Sequence, residues 1–357
     1  MNKKLLSLLL VLSIILSFTL IGCNKNTGTN EKATPGNESN QKTEEKKPSK
    51  KFALRFSTAS VPTDAHTEAL YKFKEAIEKS TDGQITVEVY HSGSLYGQGE
   101  DCEATIRGDL EMCYMSAQWI AEKVPEVSMF TAGYIFKDYN HMTKVLNGEI
   151  GRELFDTVAK KIGARPLAAF YLGARQLNLR DIGREVKTPA DLKGVKLRMP
   201  NTPAWLFLGK ALGANPTPLA FNEVYLALKT GTVDGQDNPL PTTKNAKFYE
   251  VTKYIILTEH VIDSVWPTIN EKVWQEMGPD LQKKMLEAVE VARQYCDKKN
   301  LDAEKELVEF FKQQGLTVIE PDKEAFRNAV QKAYLDNKEI SGKWDMELYN
   351  KIQELAK

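Results

Sequence analysis

Two arginines occupy positions where an arginine is energetically awkward. Arg198 lies in Val195-Lys196-Leu197-Arg198-Met199-Pro200-Asn201, and Arg175 follows the apolar run Leu167 to Leu172. Both stretches read as β-strands, and an unpaired buried guanidinium costs several kcal/mol. Each arginine therefore turns to solvent, pairs with a carboxylate of the protein, or meets the anion of a ligand. The last option is carboxylate binding, because the planar fork of Arg grips both oxygens at once.

Catalytic signatures are missing around these cations. Gly93-Ser94-Leu95-Tyr96-Gly97 is not a nucleophile elbow, Gly209-Lys210 lacks a phosphate-loop frame, and Gly97-Gln98-Gly99 lacks the third glycine of a dinucleotide loop. Carboxylates are plentiful, but nothing in their spacing supports an acid/base pair of the glycosidase kind. His66, His91, His141 and His260 are dispersed, so neither a metal nor another cofactor is expected. The four cysteines show no CxxC spacing. With Cys23 set aside below, Cys102, Cys113 and Cys296 are expected as isolated buried thiols, a Cys102–Cys113 bridge being the alternative. An enzyme is unsupported by these motifs, though spacing alone does not exclude one.

These residues need strands and turns to aim them. Phe52 to Thr58 and Ile85 to His91 alternate in polarity, with an amphipathic stretch from Glu68 to Lys79 between them: a βαβ unit. Further strand-like runs at Leu110 to Met115, Leu167 to Leu172 and Val195 to Met199, interleaved with helical segments, give an α/β fold with mixed sheets. Thr188-Pro189-Ala190-Asp191 opens a short helix that ends at Gly194. Phe221 to Thr230 is a helix closed by Gly231, and it feeds Val233 to Pro239, which reads as a polar, turn-rich loop. Trp205, Trp266, Trp274 and Trp344 read as packing residues.

Asp280 to Gln314 is 35 residues without proline or glycine. Continuous, it makes a helix about 52 Å long, against a radius of gyration of roughly 15 Å for one domain. Such a helix spans two domains; a break near Asn300 is the alternative.

The neutral total, 48 basic and 48 acidic residues in 357, conceals unlike segments. Lys3 and Lys4 precede an apolar run from Leu5 to Ile21 and then Gly22-Cys23, the form of an export signal. The ending Leu20-Ile21-Gly22-Cys23 resembles the bacterial lipobox, which implies lipid on Cys23 and a body anchored outside the cytoplasmic membrane. Asn24 to Lys51 has no aromatic or large aliphatic residue and reads as a disordered tether. The body from Phe52 onward carries 39 basic and 44 acidic residues, a net charge of −5, which gives no support to nucleic-acid binding. An anion bound by this body needs a few buried cations, not a bulk field.

From Gly173 to Asn270 the pieces GARQLNLR, TPADLKGVKLRMPN, LGANPTPLAFNEVYLALKTGTVDGQDNP and KFYEVTKYIILTEH resemble, in order and spacing, the solute receptors of TRAP transporters, the DctP family. With weaker similarity on either side, the likeness extends from Phe52 to about Ile340. The resemblance implies a two-domain, periplasmic-binding-protein-like α/β fold with hinge strands and a long helix crossing both domains. Domain I is expected at 52–172 plus about 261–300, domain II at 173–260 plus about 301–335, and a helical segment at 336–357.

It also implies a site. Arg198 clamps a ligand carboxylate, Arg175 supports it, and Asn238 adds an amide; Asn201 and Phe221 fall where sugar-acid-binding members place pocket residues. Asp237 stands where many members have Glu and is expected to orient Arg175, and Gln98 is expected to reach the pocket from the loop Gly93 to Glu100. Ala59, Ser116 and Trp119 align with positions that carry polar or charged groups in the sialic-acid branch, so a C4-dicarboxylate or a sugar acid such as a uronate is expected instead. The implied protein is a monomer. It hands an organic acid to the small and large membrane subunits of a sodium-coupled permease. A sensor kinase or ABC permease as partner, or a secreted hydrolase, are the competing readings.

Overall fold

The computed structural model describes residues 50–356, so the signal, Cys23 and most of the tether lie outside the described residues. The described residues form eleven strands: β1 Phe52–Ser57, β2 Ile85–Tyr90, β3 Met112–Met115, β4 Ala164–Pro166, β5 Phe170–Leu179, β6 Lys196–Met199, β7 Asn215–Pro218, β8 Gly235–Pro239, β9 Tyr254–Ile256, β10 Ile262–Asn270 and β11 Thr317–Ile319. The expected βαβ unit forms: β1 and β2 pair in parallel from Phe52↔Ile85, with helix Ala65–Ser80 between them in sequence. Its apolar face, including Ala69, Leu70, Phe73 and Ile77, is buried.

The sheet order β2-β1-β3-β10-β5-β8-β6-β7 divides at two antiparallel strands. The later part of β10, Trp266 to Ile269, pairs with β3 of the first lobe, and its start, Ile262 to Val265, pairs with β5. The second half of β5, Arg175 to Leu179, pairs with β8 of the second lobe. Both strands thus pass from one lobe to the other, and the pairing slips between Asp263 and Ser264 at the crossing. Gly173, at φ +129°, stands there because a Cβ would come within 2.6 Å of the Pro239 side chain.

The long helix runs without a break from Pro279 to Gln313, past Asn300. Glu271–Gln313 contains one break, at Gly278 (φ 74°, ψ 169°), and Pro279 then starts the straight run that the sequence predicts. Leu281, Met285, Ala288, Val289, Ala292 and Cys296 pack into the first lobe, and Leu307 and Phe311 into the second. Between these faces the helix holds the crossing strand by polar bonds. Asp297 accepts from the Tyr171 amide at 2.7 Å, the Asn300 amide donates to the Tyr171 carbonyl at 2.7 Å, and Glu304 accepts from the Ala174 amide at 2.7 Å. Each buried backbone group at the crossing that these bonds engage would be costly to leave unpaired.

Two sequence expectations are corrected here. The strand near Arg175 does not end at Leu172; it starts at Phe170 and runs through Arg175 to Leu179, because Gly173 bends it without stopping it. Val233 to Pro239 is not a loop throughout, since Gly235–Pro239 is a buried central strand. Its polar side chains satisfy one another: Gln236 donates to Asn178 (3.2 Å) and Thr243 (3.3 Å), and Asn238 donates to Gln236 (2.6 Å).

Candidate functional site

β8 lies between β5 and β6, with Gln176 opposite Asn238 and Arg198 opposite Gln236. This register brings both arginines to one end of the second-lobe sheet, where a cavity of about 100 Å³ opens between the lobes. Arg175, Arg198, Asn238, Phe221 and Gln98 all line it. Asp237 lies fully buried behind it, and Asn201 is exposed and lines an adjoining cleft of about 600 Å³ instead. Pro200 follows the end of β6 and Thr202 caps the next helix, leaving Asn201 on the outward turn between them.

Every nitrogen of Arg175 has a partner in the protein. Its Nε donates to Asp237 Oδ2 at 2.7 Å, Nη1 to Asp263 Oδ2 at 2.7 Å, and Nη2 to the Asp237 carbonyl at 2.7 Å and Asn238 Oδ1 at 3.2 Å. Burial works against its charge, but Asp237 and Asp263 more than offset this and raise its pKa above the ordinary value. Burial likewise opposes ionisation of Asp237, yet Arg175 and a bond from His260 Nε2 (3.0 Å) hold it well below the usual carboxylate range. The guanidinium also sits 4.4 Å from the centre of the Trp205 ring. Thr202 caps helix Pro203–Ala211, which carries that ring, by accepting from the backbone N–H of Trp205.

Arg198 is the opposite case. It is 1% exposed, its Nε donates to the Leu219 carbonyl at 2.9 Å, and its Nη2 donates to Gln98 Oε1 at 2.9 Å. Nη1 has no hydrogen-bond partner among the described residues, and no carboxylate forms an ion pair with it. Burial pulls its pKa down to about 9; Arg175 adds to the shift and Asp237 opposes it. At neutral pH the group stays charged, desolvated and short of an anion.

The first lobe faces this cation with neutral groups. Ala59, Ser60, Ser116, Trp119 and His66 line that side, and the His66 ring bonds to Ser60 Oγ. Burial pushes the His66 pKa down to about 4, so its imidazole is neutral at pH 7. Gln98 crosses the cleft, accepting from both Arg198 and the Phe221 amide (2.9 Å each), and Asn245 of the second lobe donates to Asp64 Oδ1 of the first at 2.9 Å. Together these groups can hold a carboxylate at Arg198 and hydroxyl groups along Ser60, Ser116, Thr242 and Asn238. Among the described residues no group of His, Cys, Asp or Glu is placed to hold a metal ion. Cys102, Cys113 and Cys296 are free and buried, and none lines this cavity.

Sequence reasoning missed Ser60 and Thr242 on the cavity wall, and also Trp205, Asp263 and His66. Trp205 reads as core, and only its place after the capped Thr-Pro start next to β6 marks it. Asp263 stands in Val261-Ile262-Asp263-Ser264-Val265, a charge in an apolar strand run, which is the same signal that singles out Arg198. His66 carries no motif.

A family model described as bacterial extracellular solute-binding protein, family 7 (DctP), matches residues 56–339. A TRAP periplasmic solute-binding protein from Roseobacter denitrificans, solved with bound 3-deoxy-D-manno-oct-2-ulosonic acid, is 43% identical. It superposes with a TM-score of 0.81, covering 85% of this chain and 99% of that one. A second from the same species, with bound L-galactonate, is 31% identical with a TM-score of 0.77 over 86% of this chain and 99% of its own. The sialic-acid-binding periplasmic protein SiaP of Vibrio cholerae is 35% identical over 73% of this chain and 80% of its own length.

Proposed function

This chain belongs to the DctP family of bacterial extracellular solute-binding proteins, and we propose that within it the chain captures a hydroxylated monocarboxylic acid for a TRAP permease. The observation that carries this reading is Arg198: a guanidinium 1% exposed, lining the cavity between the lobes, with no carboxylate partner among the described residues. A ligand carboxylate supplies the missing anion through charge-assisted bonds worth roughly 1.5–3 kcal/mol each. Micromolar binding needs about −8 kcal/mol, which such a clamp reaches with a few hydroxyl contacts and the exclusion of water.

The far wall favours a monoacid over a dicarboxylate. A second carboxylate at Ser60, Ser116 and neutral His66 would be buried without a counter-ion. Hydroxyl groups, in contrast, find donors and acceptors there. The family's solved members with an ulosonic acid and an aldonate bound agree in class.

Gln98 at the cavity and the Asp64–Asn245 contact both join the lobes, so capture is a hinge motion at β5 and β10 favoured by a ligand that bridges both walls. Among the described residues no helix is long and apolar enough to cross a membrane. We assign transport itself to separate permease subunits, with the body held near them as a monomer by lipid on Cys23.

The test is calorimetry of the purified protein against aldonates, uronates, ulosonates and succinate, repeated with Arg198→Ala. A hydroxylated monoacid binds more tightly than succinate, and Arg198→Ala raises its Kd by at least about tenfold, ~1.4 kcal/mol, with the fold intact. Unchanged affinity in that variant removes the clamp.

A further inference from the structure

The inner cavity and the larger cleft beside it share two lining residues, Gln98 and Trp119. Trp119 sits in the short helix Ala117–Ile120, directly after Ser116 of the cavity wall, and is only half-buried. The indole lies against the backbone of the Gln98 loop. Gly99 has φ +89°, and a Cβ on it would come within 2.7 Å of Trp119 Cζ3. No side chain fits at position 99 without displacing the ring, so the loop and the indole close onto each other as one partition.

On one side of that partition are about 100 Å³ lined by Arg198, Ser60 and His66. On the other are about 600 Å³ lined by Asn201, Tyr96 and the charged Arg107, Glu103, Glu122 and Lys123. At about 30 Å³ of liquid volume per water, the inner cavity holds only about three waters, room suited to a short acid and well short of an eight-carbon ulosonate. An acid clamped at Arg198 and longer than this gains room in the neighbouring charged cleft by passing the indole.

Resting on the carboxylate-clamp reading above, we propose that Trp119 sets the length of acid the closed cleft accepts. Its indole ends the inner cavity, and removing it joins that cavity to the neighbouring cleft. Gly99 is the positioning residue that allows the ring to lie there.

The experiment measures Kd by calorimetry for D-erythronate, L-galactonate and 3-deoxy-D-manno-oct-2-ulosonate, with the wild type, Trp119→Ala and Arg198→Ala. The expected wild-type order is four-carbon tightest and eight-carbon weakest, by at least tenfold end to end. Trp119→Ala shifts that ratio at least tenfold toward the eight-carbon acid. Should Trp119→Ala melt early, Trp119→Leu moves the ratio in the same direction. A wild type that takes the ulosonate as tightly as erythronate, or a ratio that both Trp119 variants leave unchanged, overturns the proposal while Arg198→Ala still abolishes binding. If no acid binds the wild type, the clamp reading falls and this inference with it.

Discussion

Arg175 and Arg198 are the same side chain at nearly the same burial, 4% and 1% exposed, at one end of one sheet, yet their surroundings differ in kind. Arg175 is enclosed by Asp237 and Asp263, with Asn238 Oδ1 and a backbone carbonyl completing its fork and Trp205 against its face. Arg198 has one carbonyl and one amide oxygen. The first arrangement is finished without a ligand; the second is not. A protein that holds a buried cation incomplete keeps part of its electrostatic energy for the molecule it captures.

The difference is open to a stability measurement on the ligand-free protein. Arg175→Met leaves Asp237 and Asp263 buried and uncompensated, and the expected loss is about 3–5 kcal/mol, read from urea unfolding. Arg198→Met removes a desolvated charge that has no counter-ion, so ligand-free stability stays level or rises while acid binding disappears. Equal losses in the two variants would mean that Arg198 has a protein anion after all.

A second contrast runs across the cleft. The second-lobe wall carries the charges, and the first-lobe wall carries Ser60, Ser116, neutral His66 and the reach of Gln98. Gln98 Oε1 accepts from Arg198 and from the Phe221 amide, two donors of the opposite lobe. Gln98→Ala removes a bond to a charged group and the main polar tie over the cavity. The expected cost is about 1.5–3 kcal/mol of ligand affinity. Affinity equal to wild type would show that closure does not depend on this residue.

Much of this was legible in the sequence, and the failures share a cause. The βαβ unit, the long helix and both arginines stand out because periodicity and the cost of burying charge act locally along the chain. Gly235 to Pro239 reads as a turn because its residue types are those of turns. Only the partners Asn178, Thr243, Arg175 and His260, all brought from elsewhere, make a polar buried strand affordable. Asp263 obeys the rule that picks out Arg198, and asking which carboxylate meets Arg175 would have found it. Asn201 leaves the inner cavity because a cap at Thr202 turns the chain outward, a matter of one residue that spacing does not resolve.

The contrast between finished and unfinished charges extends to carboxylates. Asp237 is matched by Arg175 and His260, whereas Asp64 is 2% exposed with only Asn245 on Oδ1 and no partner for Oδ2 among the described residues. Burial raises the Asp64 pKa to about 7, with Asn245, the Val61 backbone and Lys299 lowering it and Glu68 adding to the rise. A carboxyl that holds its proton more tightly folded than unfolded stabilises the fold below its unfolded pKa, near 4, and loses that contribution as pH rises through about 7. Each unit of the difference is worth about 1.4 kcal/mol. Asp64→Asn cannot ionise, so its melting temperature should gain on the wild type between pH 5 and pH 8, by about 2–4 °C for each kcal/mol. Because Asp101, also pushed up to about 7 by burial, and His66 titrate in both proteins, the difference between the two curves isolates Asp64. Parallel curves would mean that Asp64 is solvated, and that the contact between Asp64 and Asn245 does not close the cleft as tightly as the cavity requires.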